Sequence, residues 1–249
     1  TRIGFGLGIG GEGESVGNRE GPDGRRSSAL KFWSDDPKSL IERGSGYWQY
    51  IPRPDGIRFL TWYDYQTRFG AVGRALDTVL FRPLLGWATA WSFDRLRLWI
   101  EAGIDPATSL RQSLVHALAR TGIASVWLYQ GLVPKLLYRH QDERAMLRDA
   151  GVPESVAPVV LRLVGWGEVA LGVLFLLAWR SRWLFLANVG LMLAAVLAVA
   201  RNSRRFLPAA FNPVTLNLAM IVLSLVGFIS GARIPTASRC LRRQPAEDG

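Results

Sequence analysis

The stretch of sequence that decides the fold is Trp183 to Ala200, WLFLANVGLMLAAVLAVA, which contains no charged residue. A helix needs about 20 mainly apolar residues to cross the hydrocarbon core of a bilayer. Three further apolar runs lie nearby, at Leu114 to Leu137, Ala157 to Trp179 and Val214 to Ala232. The second half of the chain is therefore predicted to be an all-α bundle of four membrane-spanning helices.

The charge pattern supports this interpretation. The chain has 249 residues, of which 49% are hydrophobic, and its formal net charge of +10 comes from 30 Lys and Arg against 20 Asp and Glu. Most basic residues of the second half flank the apolar runs, as in the loops of membrane proteins, whereas a nucleic-acid-binding protein presents them on one polar face. We therefore expect a lipid bilayer as a partner and exclude nucleic acid.

An even number of spans places both termini on one side of the membrane. The basic residues near that side outnumber those near the other, and Lys and Arg collect in cytoplasmic loops. We therefore expect a multi-pass protein of the cell membrane with its N-terminal domain and C-terminus in the cytoplasm. The two groups compared are Arg95, Arg97, Arg111, Arg180, Arg182, Arg233, Arg239, Arg242 and Arg243 against Arg139, Arg144, Arg148, Arg201, Arg204 and Arg205.

Residues 1 to 68 follow the period of β-strands. Apolar residues alternate with glycines from Ile3 to Gly10, a polar Gly-rich stretch follows to about Arg26, and strands are predicted at Ser28 to Trp33, Gly46 to Ile51 and Ile57 to Thr67. Both faces of the last strand carry large side chains, so we expect it inside the sheet.

From about Ala71 to Glu101 the apolar residues recur with the period of a helix, in which Pro83 is expected to cause a kink. Several antiparallel strands followed by one long helix predict an α+β unit with the helix across the sheet. The predicted domains are residues 1–102 for this unit, 103–234 for the transmembrane bundle and 235–249 for a polar, basic tail. The chain has no apparent signal peptide, and the absence of an initiating Met predicts a fragment.

The ionisable residues inside the predicted spans are candidates for a polar site, because a charge at the bilayer centre costs at least roughly 2.5 to 3.5 kcal/mol on insertion scales. Arg120 and Glu168 lie on different spans, and we expect them to form an ion pair that serves either helix packing or a proton, quinone or substrate site. Arg162 and Lys135 lie nearer the membrane surface and are expected to anchor there. His116 could titrate near neutral pH or simply be buried.

Aromatic residues of the N-terminal unit could line an apolar pocket between sheet and helix, or could form its core. They include Trp48, Tyr50, Trp62, Tyr63 and Tyr65.

Several kinds of chemistry find no support. Gly6 to Gly11 and Gly8 to Gly13 fit the G-x-G-x-x-G pattern, but no helix is predicted after them to receive a pyrophosphate. The single cysteine, Cys240, excludes an internal disulfide or a Cys-x-x-Cys pair, and neither histidine has metal-ligand spacing. We therefore assign no catalytic residue and no metal site.

Two family resemblances add to this interpretation. The run Gly56 to Tyr65, together with Phe81 to Leu84 and the helix that follows, resembles the end of a START-like (SRPBCC) helix-grip domain. Such domains bind apolar ligands between sheet and helix. Residues 110–232 resemble the DoxX-like four-span membrane proteins, through Gly131 to Lys135, Gly165 to Glu168 and Phe211 to Pro213.

The second resemblance implies a set of alternatives. Some DoxX-like relatives belong to quinone-linked oxidoreductases, so it implies oxidoreductase subunits as partners and quinone as a cofactor. Our first expectation is a non-enzyme or accessory protein that binds a small apolar or redox partner. The alternatives are a membrane subunit of a quinone-linked oxidoreductase, in which Arg120, Glu168 and His116 act on quinone or protons, and a transporter of a small molecule or protons.

Overall fold

The computed structural model describes residues 2–3, 7–210 and 212–241. The predictions that involve Gly4, Phe5, Gly6, Phe211, Arg242 and Arg243 lie outside these residues. Contacts divide the chain into two compact units, Thr1–Thr89 and Ala90–Gly249. The first carries an antiparallel sheet, and the second is helical.

The sheet of the N-terminal unit is a meander in which each strand pairs antiparallel with the next. Its strands are β3 (Glu12–Glu20), β4 (Arg26–Trp33), β5 (Ile41–Arg53) and β6 (Gly56–Thr67). Two shorter strands, β1 (Arg2–Ile3) and β2 (Leu7–Gly8), pair antiparallel with each other, so the predicted single strand from Ile3 to Gly10 is wrong.

Three other strand predictions are confirmed in position, and each observed strand is longer. Residues 12–20 form a strand rather than the irregular stretch expected, because the backbone pairs along β4 although the side chains stay exposed. In the described part of the chain, the glycine-rich start is followed by β3 and not by a helix, as the sequence predicts. Among the described residues β6 pairs only with β5, so β6 lies at an edge and not inside the sheet.

The pairing of β5 with β6 divides the predicted aromatic pocket between two faces of the sheet. Trp48 lies opposite Thr61 and Tyr50 lies opposite Phe59, which places both on the face of the odd-numbered β6 residues, with Tyr63 and Tyr65. Trp62 is on the other face, where its ring stacks on Tyr47 at 5.9 Å between centroids. A single pocket lined by all five residues is therefore excluded.

A long helical segment follows the sheet. It consists of α1 (Gly70–Leu76), a π-helical turn (Asp77–Phe81) and α2 (Arg82–Ala102). The π turn ends two residues before Pro83, and the Arg82 N–H donates to the Asp77 carbonyl at its end. The kink expected at Pro83 itself stays a prediction. Val72 and Val79, two of the apolar residues that recur with the helical period, are 76% and 80% exposed.

The helical unit begins with the end of α2, and its described residues then form four long α-helices and one short one. They are α3 (Pro106–Gln130), which continues as a π-helical segment (Gly131–Leu137), α4 (Gln141–Asp149), α5 (Ala157–Leu177), α6 (Trp183–Asn202) and α7 (Pro213–Ser230). Asp105 caps α3 and Asn212 caps α7, each followed by a proline at the first helical position. The four long helices share one core, with Ile123, Phe175, Phe185 and Met220 at its centre.

This unit buries several polar side chains within its core and exposes large apolar ones on its surface. Its interior holds Arg120, His116 and Asn188, all nearly inaccessible, while Leu118 and Leu177 expose 71% and 78% of their surfaces. Helices α5, α6 and the segment that begins at Pro213 are long and apolar enough to cross a membrane. Apolar side chains outside and hydrogen-bonded polar groups inside suit a lipid environment.

Candidate functional site

A cavity of about 750 Å³ lies within the helical unit. Its wall includes residues of α3, α4, α5, α6 and α7. Most of the wall is apolar, and its charged part consists of Lys135, Asp142, Glu143 and Glu168. A cavity of this size, mainly apolar with a few convergent polar groups, is typical of a small-molecule site.

Lys135 is the centre of the charged wall. Its ammonium group donates a hydrogen bond to Glu143 Oε1 at 2.9 Å and lies 3.1 Å from Glu168 Oε2. The Lys135 side chain is 9% exposed, and those of Glu143 and Glu168 are 17% and 16% exposed. The expectation that Lys135 would extend to the membrane surface is therefore wrong, since two carboxylates hold it inside the protein.

Backbone geometry places these three side chains together. Pro134 has no N–H, and the surrounding turn is a π-helix. Arg139 then takes a left-handed conformation, with φ of 48°, where the chain turns into α4 and Glu143. Glu143 was not predicted because it lies outside the apolar runs, and only its position after this turn could have suggested it.

Glycines let α5 approach the end of α3. A Cβ atom on Gly131 would lie 2.5 Å from the Gly165 carbonyl oxygen, and one on Gly172 would lie 3.0 Å from the Ala124 carbonyl oxygen. Helix packing is therefore close at Gly165 and Gly172, whereas Gly167 has open space on its Cβ side.

Arg120 does not pair with Glu168, so the predicted ion pair is wrong. Its guanidinium group donates to three backbone carbonyls at and beyond the end of α5, those of Phe175 (2.9 Å), Ala178 (2.9 Å) and Ser181 (2.7 Å). The side chain is fully buried, and its charge lies 4.8 Å from the centre of the Phe185 ring. Arg120 therefore satisfies the orphan carbonyls and opposes the negative end of the α5 dipole.

His116 belongs to the same cluster as Arg120. Its Nδ1 lies 2.9 Å from the Gly227 carbonyl oxygen, and its Nε2 accepts a 3.4 Å hydrogen bond from Arg120 Nε. A carbonyl can only accept, so Nδ1 carries the proton. Both ring nitrogens are occupied by protein groups, and His116 does not line the cavity described above.

Arg162 faces outward from α5. It is exposed and donates to the Pro158 carbonyl one turn earlier. This position suits the expected role of an anchor at the membrane surface. The five predicted polar residues thus separate into Lys135 with Glu168, Arg120 with His116, and Arg162 alone.

A chain of neutral hydrogen bonds crosses the bundle beside the cavity. Trp127 Nε1 donates to Asn188 Oδ1 at 2.8 Å, Asn188 Nδ2 donates to Ser224 Oγ at 2.9 Å, and Ser224 Oγ donates to the Met220 carbonyl at 2.7 Å. These hydrogen bonds link α3, α6 and α7. Since Trp127 and Met220 also line the cavity, these bonds fix part of its wall.

The N-terminal unit has a separate buried network. Tyr65 donates to Asp77 Oδ1 at 2.5 Å, and Arg82 Nε donates to Asp77 Oδ2 at 3.0 Å. Burial and the Asp77 hydrogen bond raise the pKa of Tyr65 to about 12. Because β6 is thereby joined to the following helix, we interpret Tyr65 as structural. A cavity of about 570 Å³ nearby includes Trp62 and Tyr65 but not Trp48, Tyr50 or Tyr63.

The C-terminal segment is held against α2. The backbone N–H of Thr236 donates to Asp94 Oδ2 at 2.7 Å, and Arg97 Nε donates to Asp94 Oδ1 at 2.8 Å. Both oxygens of the Asp94 carboxylate, which is 1% exposed, therefore accept hydrogen bonds that hold the fold together. Within the described parts of the chain, no group of His, Cys, Asp and Glu is placed to hold a metal ion.

Comparison with known proteins agrees with this architecture. Residues 124–225 match the DoxX-like family. The matched range contains Lys135, Glu143 and Glu168, so the charged wall lies within this DoxX-like domain. The match begins inside α3 and ends inside α7.

A relative extends the likeness beyond the DoxX-like domain. The chain is 43% identical over 185 residues to the "Uncharacterized membrane protein YndG" of Bacillus subtilis (strain 168). The alignment covers 74% of this chain and 60% of the length of that relative. No solved structure matches the chain. The chain is therefore a membrane protein with a DoxX-like domain.

Proposed function

We propose that the helical unit is a four-span membrane domain that binds a small, mainly apolar molecule in the cavity beside Lys135 and Glu168. The observation that carries the proposal is the cavity itself, about 750 Å³, since ligand pockets range over roughly 300 to 1,000 Å³. Leu191 and Met192 in its wall can contact the apolar part of a ligand, and the charged side chains can orient the polar part. The domain acts in this proposal as a binding or accessory protein.

The fourth span is α3. Its 25 residues exceed the roughly 20 that a bilayer requires. Its polar residues Arg120 and His116 are buried among the other helices, whereas Leu114 and Leu118 are exposed. This arrangement explains why α3 is less apolar in composition than α5, α6 and α7 and still suits a lipid environment.

Thiol labelling tests the number of spans. In a Cys240→Ser background, Asp55→Cys places a thiol in the turn before β6, and Glu154→Cys places one between α4 and α5. With four spans and cytoplasmic termini, a membrane-impermeant maleimide labels the second variant in intact cells and the first only after permeabilisation. If the two thiols are labelled under the same conditions, α3 does not span the membrane. If the first variant is labelled in intact cells and the second only after permeabilisation, the termini lie outside the cytoplasm.

The helix-grip interpretation of residues 1–102 is proposed on element order alone, an antiparallel sheet followed by a long helix. The division of the five aromatic residues between two faces leaves no single pocket that all five line. We therefore place ligand binding in the DoxX-like domain.

Ligand retention tests the binding function. Protein purified in mild detergent is analysed by native mass spectrometry and lipid extraction, together with Ala195→Phe, which fills the cavity from α6. Leu197→Phe is the matched control, because Leu197 is 69% exposed and does not line the cavity. We expect the wild type and the control to retain a small apolar molecule that Ala195→Phe loses. Equal retention by all three, or no ligand in any, would contradict the proposal.

The identity of the molecule separates the alternatives. A recovered quinone, with quinone-dependent turnover, would select the oxidoreductase subunit. Flux into vesicles that Glu168→Gln abolishes would select the transporter. A bound molecule with neither activity supports the binding role.

A further inference from the structure

The charged wall of the cavity has more carboxylates than basic side chains. Lys135 is its one basic residue among the described residues, against the three carboxylates of Asp142, Glu143 and Glu168. The residues that α6 and α7 contribute are uncharged, among them Met192, Thr215 and Asn217. The wall therefore carries a net negative charge with Lys135 ionised, and it repels an anionic ligand.

Two carboxylates at this wall share one cation. Lys135 Nζ lies 3.1 Å from the buried Glu168 Oε2, and the same ammonium donates to Glu143 Oε1 at 2.9 Å. Because one ammonium group balances only one of these two carboxylates, a negative charge remains beside a mainly apolar cavity. A buried charge without a counter-charge is costly, so a ligand that brings a second cationic N–H donor gains on binding there.

The remaining wall suits the other end of such a ligand. Trp127 and Phe206 offer aromatic rings, and Met192 and Met220 offer polarizable, adaptable side chains. Aromatic faces attract organic cations as well as apolar groups. An ion that is small and fully hydrated gains little from these residues.

We propose that the cavity binds a small amphiphilic organic cation, with its ammonium group at Glu168 and its apolar body against Trp127, Met192 and Met220. This inference rests on the proposed binding function and names the chemical class of the ligand. Lys135 holds the carboxylates of Glu143 and Glu168 in place. The ligand's ammonium group balances the negative charge of the wall that Lys135 does not neutralise.

Three probes with one skeleton test the charge preference. They are 2-(1-naphthyl)ethylamine, 2-(1-naphthyl)ethanol and 1-naphthylacetate, measured by equilibrium dialysis against the full chain in nanodiscs of zwitterionic lipid, with empty nanodiscs as the background. We expect the amine to bind about tenfold or more tightly than the alcohol, and the carboxylate to bind weakest, because a desolvated charge pair distinguishes ligands on this scale.

Glu168→Gln should reduce the affinity of the amine to that of the alcohol and leave the alcohol unchanged. Glu154→Gln is the matched control, since it removes the same charge from an exposed residue outside the cavity and should change neither. Retained binding of the alcohol shows that Glu168→Gln is folded. Lys135→Gln is a second variant, in which the amine should bind at least as tightly as in the wild type.

Three results would overturn the inference. Equal affinity of amine and alcohol, both lost in Ala195→Phe, would leave the proposed binding function standing and remove the cation preference. Tightest binding of the carboxylate, lost in Lys135→Gln, would make Lys135 the ligand-binding group. No binding of any probe above the empty nanodiscs would reject this ligand class, while the molecule retained on purification still decides the binding function.

Discussion

Replacement of Arg120 should destabilise the bundle without a selective effect on the cavity. Arg120 is 0% exposed and makes three charge-assisted hydrogen bonds to carbonyls, those of Phe175, Ala178 and Ser181. Such bonds contribute about 1.5–3 kcal/mol each, and burial of the charge offsets part of the sum. We expect Arg120→Leu to lower the free energy of unfolding by about 3–5 kcal/mol, the range for breaking a buried charged network.

Two further variants define this effect. Arg120→Lys keeps the charge but lacks the planar, forked donor group, so it should recover only part of the loss. Arg162→Leu is the control, because this exposed arginine has one hydrogen bond to a local carbonyl and should cost less than about 1 kcal/mol. Unfolding is followed by circular dichroism in mixed micelles of increasing sodium dodecyl sulfate content.

The reasoning is refuted if Arg120→Leu is as stable as Arg162→Leu. It is also refuted if Arg120→Leu keeps its stability but loses the molecule retained by the wild type, since that result would make Arg120 part of the binding site. A loss of stability in Arg120→Lys equal to that in Arg120→Leu would show that geometry, and not charge, determines the effect.

Four other variants test the remaining packing and titration arguments. The pKa of Tyr65 is raised from 10.0 to about 12, so its contribution to stability is complete below pH 10 and is lost as the pH rises to 12. Tyr65→Phe should remove this loss from alkaline unfolding curves. It should also remove the tyrosinate absorbance at 295 nm that appears at the highest pH. Gly131→Ala should cost about 1–3 kcal/mol, because its Cβ meets a backbone carbonyl of the facing helix, whereas Gly167→Ala should stabilise by up to about 1 kcal/mol. Asn188→Ala should cost about 1–3 kcal/mol in the same unfolding assay, because it leaves the buried Trp127 donor without a partner.

The apolar runs predict α5, α6 and α7 to within two residues at each end, because hydropathy is a local signal, but α3 begins at Pro106, eight residues before its predicted start. Asp105 and Asn212 each precede a proline, and both cap the helix that begins there. The apolar run from Ala157 predicts α5 to within two residues at its C-terminal end. Caps, prolines and hydropathy act within one or two turns, so they can be read without the tertiary fold.

The partners of the buried charges could not be predicted in the same way. Arg120 and Glu168 were expected to pair because they are charged residues on neighbouring spans. Arg120 instead lies at the C-terminal end of α5, where it meets backbone carbonyls. Glu168 is paired by Lys135, which a π-helical turn brings next to it. In the N-terminal unit, the bulge between Ile41 and Arg43 and the register of β5 decide which aromatic residues share a face. A single sequence specifies such registers weakly.

The two buried charged clusters differ in how completely the protein satisfies them. Arg120 and Lys135 are 15 residues apart on one helical segment, about 22 Å at the rise of an α-helix. At the Arg120 end, the donors meet backbone carbonyls and His116, as expected of groups that fix a fold. At the Lys135 end, one ammonium group serves the carboxylates of both Glu143 and Glu168 beside a cavity. Because this cluster keeps an excess of negative charge, it is where a cationic ligand would add the missing counter-charge.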